Sequence, residues 1–85
     1  MTTADQVIEI VAAQLQRDPA EFTLDTNLQE EGFESIDVIE TVFALEERFG
    51  VDFPFNANDE EAQFATVRDV VAMVEVQLAK KGASR

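Results

Sequence analysis

The sequence predicts a small all-α domain, a bundle of four helices in which three are longer and the third in chain order is short. Apolar residues recur at the three- and four-residue spacing of a helix face in three segments of the chain. Clusters of Gly, Pro, Asn and Asp separate those segments. With 85 residues, 46% of them hydrophobic, the chain is long enough for one packed core, so residues 1–85 are expected to form a single domain.

The first helix is expected over residues 4–16. Thr3 and Gln6 have the spacing of a capping box at its start. Its apolar face would consist of Val7, Ile8, Val11 and Leu15. The residue before a proline is pushed out of the helical region, so Asp18 and Pro19 are expected to end the helix.

Two irregular connections are expected. The first leads to the second helix and is longer than structureless loops usually are, so Phe22, Leu24 and Leu28 are expected to hold it against the core. The other follows the second helix, contains a proline and turn-forming Asn and Asp residues, and leads into a short helix over residues 60–64. Part of it has the composition of a calcium loop, but Glu61 occupies the position that needs glycine, so no metal site is expected.

The second helix is expected to begin at or just after Ser35 and to end before Gly50, which can supply the left-handed residue that commonly follows a helix. Two apolar sets recur at helical spacing within it: Ile36, Ile39 and Phe43, and Val38, Val42, Leu45 and Phe49. Phe33 and Phe49 are assigned to the core or its rim. From spacing alone, Ser35 is best explained as a plain N-cap whose hydroxyl accepts from backbone N–H groups.

The last helix is expected from Val67 to about Lys80. Thr66 and Asp69 have the spacing of an N-terminal cap. The apolar stripe that follows consists of Val67, Val70, Val71, Val74 and Leu78. Lys81 and Gly82 are stop signals, so residues 82–85 are expected to form a frayed tail.

The formal net charge of −12 narrows the classes of partner. Nucleic acid is not an expected partner, because phosphate binding depends on clustered Lys and Arg that this chain lacks. A basic protein is the binding partner that such an acidic surface favours.

The longest uncharged run, residues 10–16, is far shorter than the roughly 20 residues that a membrane span needs. No signal peptide is recognisable, and a cytoplasmic location is expected.

Autonomous catalysis is not expected from this composition. The chain contains no His, Cys or Tyr, so no imidazole is available to activate the hydroxyl of Ser35. The many carboxylates are expected to be solvated charges on an acidic surface rather than an acid–base pair in a cleft. The sequence therefore predicts a protein that is not an enzyme.

The residues around Ser35 resemble the signature of acyl carrier proteins. In that family Gly-x-Asp-Ser-Leu opens the second helix and the serine carries 4'-phosphopantetheine; the corresponding residues here are Gly32, Glu34, Ser35 and Ile36. The resemblance covers nearly the whole chain, including the order of the helices. It implies that a phosphopantetheinyl transferase attaches the arm to Ser35 from coenzyme A. Glu34 replaces the usual Asp and Ile36 the usual Leu, which leaves open which transferase accepts the chain and favours a specialised carrier.

The acids of the second helix are, by the same resemblance, contacts for basic patches on the transferase and on acyl-loading and acyl-transfer enzymes. They are Asp37, Glu40, Glu46 and Glu47. Acids in the last turn of a helix oppose the helix dipole, so the positions of Glu46 and Glu47 suggest a functional reason. Ile36 and Phe43 match positions that commonly face partners, although burial in the core explains Phe43 equally well.

Three functions are compatible with these residues. The resemblance favours a monomeric acyl carrier protein that serves fatty-acid, polyketide or related biosynthesis. A peptidyl carrier of similar fold is the first alternative, although a basic or neutral second helix would be more typical of it. The other alternative is a helical adaptor that carries no cargo and docks by its acidic face.

Overall fold

The computed structural model describes residues 2–53 and 65–83. Within these ranges the chain forms three α-helices, α1 to α3 in chain order: Thr3–Gln14, Ser35–Phe49 and Val67–Ala83. A short 3-10 helix, Pro19–Glu21, lies between α1 and α2. The all-α prediction is confirmed for this part of the chain. The short helix predicted over residues 60–64, the acidic turn before it and the count of four helices lie outside the described residues.

One hydrophobic core joins the three helices and the long connection between α1 and α2. α1 packs against both α2 and α3, while α2 and α3 contact each other less. The removal of apolar surface from water drives this packing. The buried apolar residues are Val7, Ile10, Val11, Ala12, Phe22, Leu28, Phe33, Val38, Val42, Leu45, Val51, Phe53, Val67, Val70, Val71 and Val74.

The start of α1 lies one residue earlier than the predicted capping box. Thr2 is the N-cap: its Oγ1 accepts from the N–H of Asp5 at 3.1 Å, and Oδ2 of Asp5 accepts from the N–H of Thr2 at 3.3 Å. The prediction of Thr3 and Gln6 as the box is therefore wrong. Asp5 brings a full negative charge to the helix N-terminus, where the dipole favours anions, and neutral Gln6 does not.

α1 ends at Gln14, two residues before its predicted end. Gln16 has a left-handed backbone conformation, with a φ of 57°, and this residue stops the helix. The N–H of Arg17 donates to the carbonyl of Ala12 at 2.9 Å, the long bond of a Schellman motif. Asp18 therefore does not end α1; it caps the following 3-10 helix.

The long connection is held against the core as predicted, because Phe22 and Leu28 are buried and Leu24 is partly buried. It is also hydrogen-bonded to the start of α3. The N–H of Leu28 donates to the carbonyl of Ala65 at 2.9 Å, and the N–H of Arg68 donates to the carbonyl of Leu24 at 2.9 Å. The first N–H groups of a helix have no partner within the helix, so the connection satisfies a donor that α3 cannot satisfy itself.

Arg17 fixes the beginning of this connection. Its guanidinium pairs with Glu21 at 2.8 Å and also with Glu31, and it lies 5.0 Å from the ring centroid of Phe22. The hydrogen bond from Arg17 lowers the pKa of Glu21. One cation therefore joins two acids and an aromatic ring at the point where the chain leaves α1.

α2 carries one buried and one exposed apolar face. Val38, Val42 and Leu45 are buried, with Phe49 partly buried behind them. Ile36 and Phe43 lie on the other side, 57% and 63% exposed. The assignments of Phe33 and Phe49 to the core and its rim are confirmed, because Phe33 is buried and Phe49 is partly buried.

Gly50 ends α2 as predicted. Its φ is 65° and its ψ is 40°, the left-handed conformation, and its N–H donates to the carbonyl of Glu46 at 2.9 Å. A Cβ at this position would also meet Nζ of Lys81 at 2.9 Å. That atom is the end of a flexible side chain and can move aside, so glycine suits the site because an L side chain there would be strained in its backbone.

The predicted cap and stripe of α3 are confirmed. Oγ1 of Thr66 accepts from the N–H of Asp69 at 3.3 Å, and Oδ2 of Asp69 accepts from the N–H of Thr66 at 3.1 Å. All four valines of the stripe are buried and Leu78 is partly buried. The cap and the stripe together fix both the start of α3 and the face that meets α1.

The end of α3 differs from the prediction. The helix continues past Lys80 to Ala83, so its predicted end is three residues too early. Lys80 and Lys81 lie in the last turn, where cations interact favourably with the helix dipole. Nζ of Lys81 also donates to the carbonyl of Phe49 at 3.4 Å, which joins the end of α3 to the end of α2.

Thr41 on α2 leads to a prediction about stability. Its side chain is fully buried, and within the described residues its Oγ1 has no hydrogen-bond partner. Thr41→Val replaces the hydroxyl by a methyl group of similar shape and should raise the free energy of unfolding by about 1–2 kcal/mol, because an unsatisfied buried hydroxyl costs that much. Urea unfolding measures the change.

Thr41→Ala is the matched control for this substitution. It also removes the hydroxyl but leaves a cavity, so it should lower stability. A lower stability of Thr41→Val than of the wild type would contradict the prediction and show that the hydroxyl has a partner in solution.

Candidate functional site

Ser35 is the first residue of α2, and its side chain is exposed. The N-cap is Glu34, which has an extended backbone with φ −113° and ψ 175°. Oδ2 of Asp37 accepts from the N–H of Glu34 at 2.8 Å. The spacing-based assignment of Ser35 as the N-cap is therefore wrong, because Asp37 closes the helix start one residue earlier.

The turn before Ser35 depends on Gly32, whose φ is 95°. A Cβ placed on Gly32 would meet nothing within 4 Å, so the backbone conformation, not crowding, is the reason for glycine here. The N–H of Phe33 donates to the carbonyl of Leu28 at 3.0 Å, and both side chains are buried. The core thus anchors one side of the turn, and open space lies beside Gly32.

The surroundings of Ser35 suit an anionic group attached to its hydroxyl. A helix N-terminus presents backbone N–H groups and partial positive charge, both of which favour a phosphodiester. The chain contains no histidine, so no imidazole lies beside the hydroxyl of Ser35. Within the described residues there is also no cluster of acids suited to a metal ion.

The four predicted docking acids fall into two classes. Glu40 and Glu47 are exposed. Asp37 is partly buried and accepts through both oxygens, from the N–H of Glu34 and from the side chain of Gln14. Glu46 is partly buried as well, and its Oε2 accepts from the N–H of Phe53 at 2.8 Å. Asp37 and Glu46 thus accept hydrogen bonds from backbone N–H groups and stabilise the local fold of the chain.

The exposed apolar side chains of α2 lie on the same face as the two exposed acids. Ile36, Glu40, Phe43 and Glu47 follow one another at spacings of four, three and four residues, and we refer to these four as the α2 face. Of the two explanations for Phe43, exposure is therefore the correct one. The helix presents apolar and acidic groups side by side next to Ser35.

Gln14 is the contact at this site that sequence reasoning missed. Its Nε2 donates to Oδ1 of Asp37 at 3.2 Å and to Oε1 of Glu40 at 3.3 Å. Gln14 belongs to a different helix, far from α2 in the sequence. Neither spacing nor composition relates it to these acids, and only the packing of α1 against α2 brings it there.

Comparison with known proteins agrees with this geometry. Residues 5–74 match the family model described as a phosphopantetheine attachment site. Proteins named acyl carrier protein are similar over 88% of this chain: that of Wolinella succinogenes at 42% identity, that of Helicobacter hepaticus at 40% and that of Sulfurovum at 38%. The matches cover 96%, 96% and 97% of those relatives, respectively. Within the described residues, no helix is long and apolar enough to cross a membrane.

The different environments of two neighbouring acids give a prediction. Glu46→Ala removes the acceptor for the N–H of buried Phe53 and should lower the free energy of unfolding by about 1–3 kcal/mol. Glu47→Ala, on the exposed face, should change it by no more than about 0.5 kcal/mol. Urea unfolding of both variants measures the difference. Equal effects would show that the Phe53 N–H is satisfied by water when Glu46 is absent.

Proposed function

The chain belongs to the phosphopantetheine-binding acyl carrier proteins, and from that membership we propose that Ser35 is the residue that carries the 4'-phosphopantetheine arm. Proteins of this family carry acyl groups on that arm, and the chain is an acyl carrier. The observation that supports Ser35 is its position as an exposed hydroxyl at the first residue of α2.

The residues around Ser35 fit the arm. Gly32 supplies the left-handed turn before the serine, Glu34 sets the helix start as N-cap, and Ile36 offers an exposed apolar side chain next to the attachment point. The bound arm supplies a terminal thiol, which forms the thioester with the acyl group. The chain itself has no cysteine, so its own part is to hold and present that arm.

Partner recognition in this proposal depends on the α2 face. Glu40 and Glu47 supply negative charge and Phe43 supplies an exposed apolar anchor. Asp37 and Glu46, predicted from the sequence as further docking acids, act at its margin while they also hold the helix start and the following loop. The partners are a phosphopantetheinyl transferase and acyl-loading or acyl-transfer enzymes with basic patches.

We infer several further properties of the chain from its membership of the acyl carrier protein family. They are a bundle completed by a short helix over residues 60–64, a monomeric state, a cytoplasmic location, no catalytic activity of the polypeptide, and service in fatty-acid or related biosynthesis. A peptidyl carrier shares the fold and the arm, so the acyl or aminoacyl group recovered from native cells distinguishes it. A non-carrier adaptor would not be loaded at all.

Loading of Ser35 is the central test. A phosphopantetheinyl transferase with coenzyme A should add one phosphopantetheine to the wild type and none to Ser35→Ala, as read by intact-protein mass spectrometry. Far-UV circular dichroism checks that both remain helical. Because Glu34 stands where the family has Asp, Glu34→Asp should speed loading by a transferase that accepts the wild type poorly.

Two results would remove this proposal. One is modification that persists in Ser35→Ala. The other is a folded wild type that no transferase from a broad set can load, even after Glu34→Asp; that result would favour the adaptor.

Docking through the α2 face gives a separate prediction. The double substitution Glu40→Lys and Glu47→Lys should slow association with a basic transferase, because charge steering acts mainly on the association rate, and the deficit should shrink as salt is added. Stopped-flow measurement at several ionic strengths records both effects. Asp52→Lys with Glu75→Lys is the control, since it changes the net charge equally at exposed residues outside the α2 face. Equal slowing by both pairs would show that only net charge matters.

A further inference from the structure

Gln14, the last residue of α1, contacts two acids of α2 across the boundary between the helices. Its Nε2 donates to Oδ1 of Asp37 at 3.2 Å and to Oε1 of Glu40 at 3.3 Å. A side-chain amide has two N–H bonds on that nitrogen, so it can serve both carboxylates at once. The nitrogen must face them, because an ionised carboxylate can only accept.

The shared donor restrains a pair of like charges. Asp37 and Glu40 are three residues apart on one helix, a spacing at which like charges repel. Asp37 is fixed from the other side as well, because its Oδ2 accepts from the N–H of Glu34 at 2.8 Å. Gln14 therefore sets the position of exposed Glu40 relative to an acid that is already held, close to Ser35.

The side chain of Gln14 is uncharged, so it holds the two acids without cancelling the negative charge that a basic partner would bind. A lysine or arginine at this position could also hold the two acids, but it would cancel part of the charge that a basic partner senses. At the far end of α2 the contact with α1 is ionic, since Arg48 of α2 lies 3.9 Å from Glu9 of α1. Beside Ser35 it uses an amide, so both negative charges are kept.

We propose that Gln14 is a positioning residue for partner recognition: it holds the carboxylates of Asp37 and Glu40 as a preset, fully charged pair for a basic enzyme. This inference rests on the proposed function, because that enzyme docks beside Ser35 to load or unload the arm. Carboxylates that are held in fixed positions match the planar guanidinium of an arginine, whose N–H donors are also fixed relative to one another. They also reduce the ordering that docking would otherwise require.

Gln14→Glu separates positioning from charge. The substitution keeps the shape of the side chain, adds one negative charge and replaces the donor by an acceptor that repels both acids. If net charge alone drove docking, association with a basic transferase would become faster. Positioning predicts the opposite: KM for the apo chain should rise about threefold to tenfold, the range that one or two hydrogen bonds produce, while kcat stays within about twofold.

The experiment uses a purified phosphopantetheinyl transferase, coenzyme A and the full apo chain, with the association rate measured separately by stopped flow. Gln14→Ala removes the donor without adding charge and should raise KM in the same direction. Gln6→Ala, which removes an amide from the first turn of α1, is the matched control and should keep the wild-type KM. Thermal melts of every variant confirm the fold, and Gln14→Ala is decisive if Gln14→Glu fails to fold.

The outcomes distinguish this inference from the function on which it rests. A KM at or below the wild-type value in a folded Gln14 variant, with wild-type loading intact, would overturn the inference and leave the carrier function in place. A drop in kcat at unchanged KM would overturn it too, because that pattern indicates an effect on the chemical step. A folded wild type that no transferase from a broad set loads, even after Glu34→Asp, would overturn the proposed function instead.

Discussion

The hydrogen bond from the N–H of Glu34 to Asp37 is the contact on which the site depends. It decides at which residue α2 begins, and a helix that begins there has Ser35 as its first residue. Burial of Val38, Val42 and Leu45 orients the helix on the core. The 3.6-residue period of the helix then leaves Ile36 and Phe43 on the exposed side.

The acids of the chain have two kinds of role that a net charge cannot distinguish. Some accept from backbone N–H groups and shape the fold, as Asp5 does at the start of α1 and Glu46 does for the loop after α2. Others, such as Glu40 and Glu47, remain exposed on a helix. A basic partner can reach the exposed acids directly, and Asp37 has both roles, because it accepts from the N–H of Glu34 and is also held beside Glu40 by Gln14. The recognition capacity of this very acidic protein therefore depends on a few of its carboxylates.

Features set by local periodicity could be predicted from the sequence, and features set by small differences or by packing could not. The buried faces of α2 and α3 and the left-handed Gly50 follow from spacing and residue type. The exact N-cap residues do not follow from the sequence, because alternative capping boxes at neighbouring residues differ in free energy by fractions of a kcal/mol. A single charged side chain is enough to favour one of them. Gln16 ends α1 without the glycine that usually marks such a position. The bonds of Gln14 exist only after α1 and α2 have packed.

The backbone bonds between the long connection and the start of α3 have a consequence for motion. Leu24 and Leu28 bond to residues far along the chain, and the connection that contains them leads directly into the turn before Ser35. Opening the first turn of α3 would therefore release the segment that supports the attachment point. We expect these parts to unfold together, so that the start of α3 influences how firmly the segment before Ser35 is held.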